Sequence, residues 1–357
     1  MSSHTARIVF RRVVTYTEII LELTDNGLYC AAGEFYVDPW RPVNRAVVTH
    51  AHSDHACPGS RAYLAARPGE ALLRARMGAE AAIQAVDYGE SVALHGVRVS
   101  LHPAGHILGS AQVRIESGGQ VWVVSGDYKI ERDPTCAAFE PVACDTFVSE
   151  STFGLPIYRW PAEADVFAEI QAWWFSNQQA GKASMLFAYS LGKAQRVLAG
   201  IDAATGPIYT HGAVENFCRI YREAGIALAP TIYAAGAPAA TDWSRALIVA
   251  PPSAKGTPWM RRFGPLSTGF VSGWMRIRGA RRRRSLDRGF VLSDHADWPG
   301  LMSAIRGSGA SRVWVTHGYR APLVEWLKHL GIDAQAVDTR FEGEQDETGA
   351  ELAEAEP

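Results

Sequence analysis

The chain has 357 residues, of which 47% are hydrophobic and 20% are charged. This length and composition exclude a disordered or fibrous chain and predict one large domain or two intertwined ones. The longest uncharged stretch, Ala224 to Thr241, is interrupted by prolines, so we expect no membrane span. The five cysteines form no C-x-x-C pair and the N-terminus lacks a secretory apolar run, so we expect a cytoplasmic protein.

The net charge of −2 hides an uneven distribution along the chain. Residues 341–357 hold seven acids and no base, which leaves a charge of +5 on the rest of the chain. Nine arginines lie between Arg261 and Arg288, where the only acid is Asp287. A local basic patch of this kind suits a polyanion such as nucleic acid. A solvated, arginine-rich loop is an equally open interpretation.

The first 150 residues alternate short β-branched runs with polar and glycine-rich breaks. This pattern predicts strands at residues 45–49, 97–101, 121–124 and 146–148, and a helix at 68–78. The spacing changes after Pro161, where a helical run at 162–180 precedes a strand at 184–188 and a helix that opens at Gly192. Similar strand–loop–helix steps follow at 207–221 and 245–250. The middle section is therefore predicted to be a compact α/β unit with parallel strands.

Short β-rich runs return at residues 289–292 and 312–316. The layout predicts an α/β domain that is interrupted by a second domain and then completed. We expect the acidic segment at 341–357 to be disordered.

The most informative string is His50-Ala-His52-Ser-Asp54-His55, which directly follows a predicted strand. His50 and His52 face the same side of an extended loop, because side chains alternate with a period of two. Three imidazoles and one carboxylate are costly to bury in an apolar core, since each needs a polar partner. They suit zinc and similar cations, which favour imidazole and carboxylate ligands. The competing interpretation is a coincidental polar loop.

Three further polar residues stand in or beside predicted strand ends. His106 lies in a glycine-flanked loop, Asp127 ends a strand, and His317 ends another. Taken alone, a histidine at a strand end is more often structural, and an aspartate after glycine more often belongs to a turn. Together they supply the additional ligands that two metal ions need, with one bridging carboxylate.

At this point the motifs resemble those of a known family. The histidine string with His106, Asp127 and Asp38 resembles the metallo-β-lactamase fold, whereas Glu150, His295 and His317 resemble the further motifs of its β-CASP nuclease branch. The segment Ser190-Leu-Gly-Lys-Ala-Gln195 is similar to the Gly-Arg-x-Gln segment of that branch, with Lys193 in place of arginine. The resemblance covers the chain up to residue 340.

A narrower resemblance is to the bacterial exonucleases associated with ATP-dependent DNA ligases. It is carried by residues 33–40, 152–158, 271–276 and 287–298. The fold that the resemblance implies is an αββα sandwich with an inserted β-CASP α/β domain. The implied boundaries are 1–155 for the first part of the sandwich, 156–287 for the insertion, 288–340 for the completing part, and 341–357 for an acidic tail.

The resemblance also implies a role for each site residue. One metal would be held by His50, His52 and His106, and a second by Asp54, His55 and His317, with Asp127 as the bridge. Asp38 would orient the histidine loop through hydrogen bonds. Glu150 and His295 would form an acid–base pair. The metals would be Zn²⁺ or Mn²⁺.

These roles describe a two-metal phosphodiesterase. A hydroxide held between the metals would attack phosphorus, with Asp127 at the reacting centre and His295, paired with Glu150, protonating the departing oxygen. We expect Arg276 and Arg278, together with Lys193 and Ser190, to bind substrate phosphates. The expected function is DNA exonuclease activity in repair, with a DNA ligase and a helicase as functional partners.

Three alternatives remain open. An RNA endo- or exonuclease is favoured by His317, because a histidine at this position is typical of the RNA-cleaving members. A small-molecule hydrolase on the same metal fold has no evident use for a large middle domain and nine arginines. A non-catalytic binding subunit is disfavoured because every ligand position is filled.

Overall fold

The computed structural model describes residues 19–277 and 286–341. The predictions for Arg278 and for the acidic tail beyond Phe341 lie outside these residues. Within the described ranges the strands assemble into three sheets. None of the helices found there is both long enough and apolar enough to cross a bilayer.

Two of the sheets are built from the two ends of the chain. The first has six strands in chain order, β1 (Glu22–Thr24), β2 (Gly27–Cys30), β3 (Phe35–Val37), β4 (Ala46–Val47), β5 (Tyr63–Ala66) and β6 (Ile83–Val86). The second contains β7 (Ser91–Leu94), β8 (Val97–Pro103), β9 (Ala111–Ser117), β10 (Gln120–Val124), β11 (Thr146–Ser151), β18 (Arg312–Gly318) and β19 (Asp333–Ala336). Its spatial order is β19-β18-β11-β10-β9-β8-β7.

The third sheet comes from the middle of the chain. It contains β12 (Ala183–Phe187), β13 (Ile208–Thr210), β14 (Ile232–Tyr233), β15 (Leu247–Ala250), β16 (Leu266–Val271) and β17 (Arg288–Phe290), in the order β14-β13-β15-β12-β16-β17. All of its strand pairs are parallel. The described helices are α1 (Glu70–Met77), α2 (Glu163–Gln179), α3 (Lys193–Gly200), α4 (Gly212–Glu223), α5 (Trp298–Ser308) and α6 (Arg320–His329).

The first two sheets pack face to face. Alternate side chains of both sheets, such as Val37 and Val47 from the first and Val113 and Trp122 from the second, share one apolar core. Helices cover the outer faces, α1 on the first sheet and α5 and α6 on the second. Strands that lie between the two layers, such as β5 and β11, are buried on both faces.

The third sheet has its own apolar layers. One face packs against α2, α3 and α4, and the other packs against an irregular layer that includes Phe263 and Met275. Helix α4 also reaches the first sheet, since Ile220 and Tyr221 join the core beside α1. The middle segment, residues 163–290, is therefore held against the outer face of the first sheet by apolar contacts.

Most predicted elements are confirmed, with shifts of a few residues at their ends. The predicted helix at 162–180 is α2, and the parallel middle unit is the third sheet. The predicted strand at 45–49 is regular only at Ala46–Val47, because the chain turns into the histidine loop immediately afterwards. The predicted strand at 289–292 is β17, which pairs with β16. The third sheet thus extends past residue 287, where the sequence prediction placed the end of the insertion.

Glycines allow the loop at 103–110 to approach α1 closely. A Cβ atom on Gly109 would lie 2.1 Å from the Cα of Gly69, and the Gly109 φ of +76° is already unfavourable for other residues. Gly89 has a similar φ of +79°, but a Cβ atom added there would have no neighbour within 4 Å among the described residues. The two glycines therefore separate the cost of backbone strain from the cost of a steric clash.

We predict that Gly89→Ala lowers the free energy of unfolding by about 1–2 kcal/mol, from backbone strain alone. Gly109→Ala should lose roughly 1–3 kcal/mol more, because the added methyl group also forces Gly69 to move. Urea denaturation of the two variants measures the difference. Equal losses would mean that the contact between the two glycines is easily relaxed.

Candidate metal centre

The candidate ligands gather at one edge of the paired sheets. Asp127 follows β10, Glu150 lies near the end of β11, and His317 lies near the end of β18. These three strands run parallel, so their carboxyl ends meet at the same edge. The histidine loop after β4 and the loop carrying His106 complete the cluster.

The Asp127 carboxylate is shared by the two groups of predicted metal ligands and by a third group of possible ligand atoms, formed with Glu150 and His295. The nearest atoms of His50, His52, His106 and Asp127 lie within 4.8 Å of one another, as do those of His55, Asp127 and His317. The Nε2 atoms of His50 and His55 lie 3.5 and 3.6 Å from Asp127 Oδ2, and His317 Nε2 lies 3.0 Å from Oδ1. The structure therefore brings together the predicted ligands from distant parts of the chain, with Asp127 between the two groups.

Asp54 is the predicted ligand that stands slightly apart. Its Oδ2 lies 3.6 Å from His55 Nε2, but Asp54 belongs to neither group of atoms within 4.8 Å. Its side chain is partly exposed, whereas the other predicted ligands are buried.

Asp38 and Thr49 fix the orientation of two ligand rings. Asp38 Oδ2 accepts hydrogen bonds from His55 Nδ1 at 2.8 Å and from Thr49 Oγ1 at 2.6 Å, and Oδ1 accepts from Thr49 N at 2.8 Å. Because the Thr49 hydroxyl donates to Asp38, it accepts from His50 Nδ1 at 3.0 Å. The Nε2 lone pairs of His50 and His55 therefore point into the centre.

Carbonyl oxygens fix two more rings. His52 Nε2 lies 3.2 Å from the carbonyl of Leu191, and His106 Nδ1 lies 3.0 Å from the carbonyl of Asp294. A carbonyl only accepts hydrogen bonds, so both of these ring nitrogens carry the proton. His317 is held similarly, since its Nδ1 lies 3.2 Å from the Thr316 hydroxyl.

The resulting arrangement of lone pairs fits divalent cations. His50 Nε2 and His55 Nε2 are buried and have no hydrogen-bond partner among the described residues, and the buried His317 Nε2 and Asp127 Oδ1 face each other at 3.0 Å. His52 Nδ1 faces His106 Nε2 at 3.1 Å, and burial lowers the pKa of both histidines. Two neutral nitrogens that both accept repel each other unless a cation lies between them. Buried imidazole and carboxylate acceptors of this kind are the ligand set that zinc and similar metals prefer.

The electrostatics distinguish the two groups of ligands. Burial lowers the pKa of His50 well below its usual value. Burial also disfavours a charge on His55, but Asp54, Asp127 and Asp38 outweigh it and raise its pKa to about 10. Burial by itself would raise the pKa of Asp127. The nearby His55, His317 and His295 outweigh burial and hold this pKa well below the usual range. The proton that the carboxylates attract to His55 is one that a bound metal would displace.

The predicted acid–base pair lies beside this cluster. His295 Nδ1 donates to Glu150, with its two carboxylate oxygens at 2.9 and 3.1 Å, and Glu150 Oε1 also accepts from Tyr128 N at 2.8 Å. His295 Nδ1 lies 4.0 Å from Asp127 Oδ2. Both members of the pair are buried, so their polar atoms need partners within the protein.

The predicted phosphate-binding residues fall in different settings. Arg276 is exposed at the end of the 3-10 helix Gly273–Arg276 that follows β16, and Arg278 lies outside the described residues. Lys193 is fully buried, with Nζ 3.2 Å from Asp294 Oδ2, and Ser190 is also buried. This arrangement gives no support to phosphate binding by Lys193 or Ser190, because neither side chain faces solvent.

Several residues that support the centre were not predicted from the sequence. Thr49 and Thr316 each precede a ligand histidine, and the repeated Thr-His dipeptide is a signal that could have identified them. Asp294 acts through its backbone carbonyl, which no sequence pattern reveals. The Phe341 ring stacks on His55, with centroids 4.3 Å apart and an angle of 15° between the rings.

No protein-family model matches the chain. A "Probable DNA ligase" from Opitutus terrae is 31% identical over 319 residues, which cover 87% of this chain and 30% of that protein. The "Endoribonuclease YSH1" of Candida albicans is 32% identical over 124 residues, 34% of this chain and 14% of that protein. The chain therefore spans less than a third of these relatives. A protein of unknown function from Enterococcus faecalis shares the fold, with a TM-score of 0.58 and 12% identity over 84% of this chain and 80% of the other.

The sheets, helices and buried cluster define a mixed α/β protein with a site suited to divalent metals. Together with the similarity to these relatives, they are consistent with the β-CASP nuclease family that the motifs resemble.

We predict that Asp38→Ala weakens Zn²⁺ or Mn²⁺ binding about 10- to 100-fold, because His55 and Thr49 lose their common acceptor. Isothermal titration calorimetry measures the affinity. Asp87→Ala is the matched control, because Asp87 pairs only with the exposed Arg67 in the described structure. Unchanged affinity in Asp38→Ala would show that the rings keep their orientation without this carboxylate.

Proposed function

We propose that this chain is a metal-dependent DNA exonuclease that hydrolyses phosphodiester bonds during repair. The proposal assigns the paired sheets to the metallo-β-lactamase αββα sandwich and the middle segment to an inserted β-CASP domain. The observation that carries it is the convergence of buried ring nitrogens on Asp127, each ring held by a protein acceptor on its other nitrogen.

In this proposal His50, His52 and His106 would hold one metal, and Asp54, His55 and His317 would hold the other. Asp127 would serve both groups, since its two oxygens face different histidines. When bound, the two cations would supply an acidified water for attack on phosphorus and offset the charge that develops there.

The residues of the chain then have distinct tasks in the reaction. Glu150 accepts a hydrogen bond from His295 Nδ1, and its negative charge favours the doubly protonated ring, whose Nε2–H donates a proton to the departing oxygen and leaves the ring neutral. The Tyr128 backbone N–H holds the Glu150 carboxylate in place by donating to one of its oxygens. Arg276, exposed beside this region, contributes a guanidinium for substrate phosphate, together with Arg278.

DNA is the proposed substrate because of the similarity that extends over 87% of the chain. The relative that covers 87% of the chain is named as a probable DNA ligase, and the narrower motifs resemble ligase-associated exonucleases. The proposal therefore includes functional partnership with an ATP-dependent DNA ligase and a helicase. The second candidate is an RNA nuclease, which is favoured by His317 and by similarity to proteins named endoribonuclease.

The substrate test uses single-stranded DNA and RNA of one sequence, labelled at either end, with Mn²⁺ or Zn²⁺. We expect stepwise release of mononucleotides from DNA, and slower cleavage of RNA. Internal cuts in RNA with no digestion of DNA would favour the second candidate. No cleavage of either polymer by metal-loaded protein would contradict both.

We predict that His295→Ala lowers the DNA hydrolysis rate about 10²- to 10⁴-fold while the metal content is unchanged, because the proton donor is lost. Metal content is measured by mass spectrometry on the same preparation. His329→Ala is the control, since His329 is the last residue of α6 and lies outside the cluster. Loss of metal from His295→Ala would instead identify His295 as a ligand.

A further inference from the structure

The middle segment, defined as residues 163–290, supplies direct support to the metal centre. The Leu191 carbonyl accepts the hydrogen bond from His52 Nε2 at 3.2 Å. The next residue, Gly192, is packed so closely that a Cβ atom would lie 2.4 Å from a methyl carbon of Ile107, which follows His106. The loop before α3 thus contacts both loops that carry ligands of the first group.

The second support acts on His106 through Asp294. The Asp294 carbonyl accepts from His106 Nδ1 at 3.0 Å, so its position sets the tilt of that ring. Two cations from α3 hold the Asp294 side chain, with Lys193 Nζ 3.2 Å from Oδ2 and Arg196 Nε 3.2 Å from Oδ1. Two positively charged side chains of the middle segment therefore hold Asp294, and with it the carbonyl that accepts from His106.

Arg196 has the most contacts in this region. Its guanidinium donates to the Ser293 carbonyl at 2.9 Å and to the His106 carbonyl at 3.4 Å, and it forms ion pairs with Asp133, Glu163 and Asp294. One side chain thus joins the loop of His106, the loop of His295 and the start of α2. The residue is only 2% exposed.

The ion pairs around Arg196 contain equal numbers of positive and negative side chains. The cluster contains three cations and three carboxylates, namely Lys129, Lys193, Arg196, Asp133, Glu163 and Asp294. Removing one member of such a buried network leaves uncompensated charge, so the network specifies one docked arrangement of the middle segment. None of these six side chains has a role in the reaction proposed above.

We propose that Arg196 is a positioning residue that couples docking of the middle segment to metal affinity at the first ligand group. This inference rests on the proposed metal site. Docking places the Leu191 and Asp294 carbonyls, and these orient the lone pairs of His52 and His106 toward the cation. Coupling of this kind is reciprocal, so metal binding also tightens the docked segment.

The first test is the affinity for Zn²⁺ in the wild type, Arg196→Met and Arg196→Lys, measured by calorimetry on the full chain. We expect Arg196→Met to bind about 10- to 100-fold more weakly, and Arg196→Lys to recover part of the loss because it keeps the charge. Arg222→Met is the matched control. Arg222 joins Glu215 at 3.0 Å and Thr231 at 2.7 Å within the middle segment, away from the centre.

If Arg196 were only structural, Arg196→Met and Arg222→Met would lose equal stability and both would keep the wild-type affinity for Zn²⁺. That result would overturn the inference. Wild-type protein that binds no Zn²⁺ would contradict the proposed function itself. If Arg196→Met does not fold, the coupling is tested instead by backbone hydrogen exchange of the wild-type protein with and without Zn²⁺. We expect added Zn²⁺ to slow exchange at residues 190–197, whereas exchange that is unaffected there would contradict the coupling.

Discussion

The centre depends on the placement of one buried carboxylate. Asp127 lies at the carboxyl end of β10, where its two oxygens face histidines from three separate loops and from β18. Burial alone would favour its neutral form, yet the surrounding imidazoles keep its pKa well below the usual range. An ionised carboxylate in an apolar setting requires compensating positive charge. That requirement explains why so many nitrogen ligands converge on it and why the site suits divalent cations.

The supports around the centre follow one physical rule. Each ligand imidazole has two nitrogens, and the structure gives one of them a protein acceptor so that the other presents a lone pair. Asp38, Thr49 and Thr316 supply side-chain acceptors, whereas Leu191 and Asp294 supply backbone carbonyls. Acceptors on the paired sheets serve His50, His55 and His317. Those for His52 and His106 lie in, or are held by, the middle segment, which connects that segment to the orientation of these two rings.

Most strands and helices were predictable, because their periodicity depends on residues that are close together in the sequence. The parallel middle sheet and helix α2 appear where the pattern indicated. The end of the insertion was less predictable, since β17 pairs with β16 through a backbone ladder that residue types do not encode. Lys193 shows a similar limit. Its place after glycine in the segment 190–195 indicated phosphate binding by resemblance. Its burial against Asp294 could not be predicted, because Asp294 lies about a hundred positions away in the sequence.

The sequence by itself indicated the types of candidate ligand, because several imidazole and carboxylate side chains suit a divalent cation better than an apolar core. The family, Asp38 and the pair of Glu150 and His295 came from the resemblance of the motifs. Only the tertiary structure decided which nitrogen of each histidine faces the centre, that Asp127 lies between two groups of histidines, and that Arg196 joins the middle segment to the loops of His106 and His295. These facts arise from contacts between residues far apart in the chain, and their geometry exists only after the sheets and the middle segment have packed together.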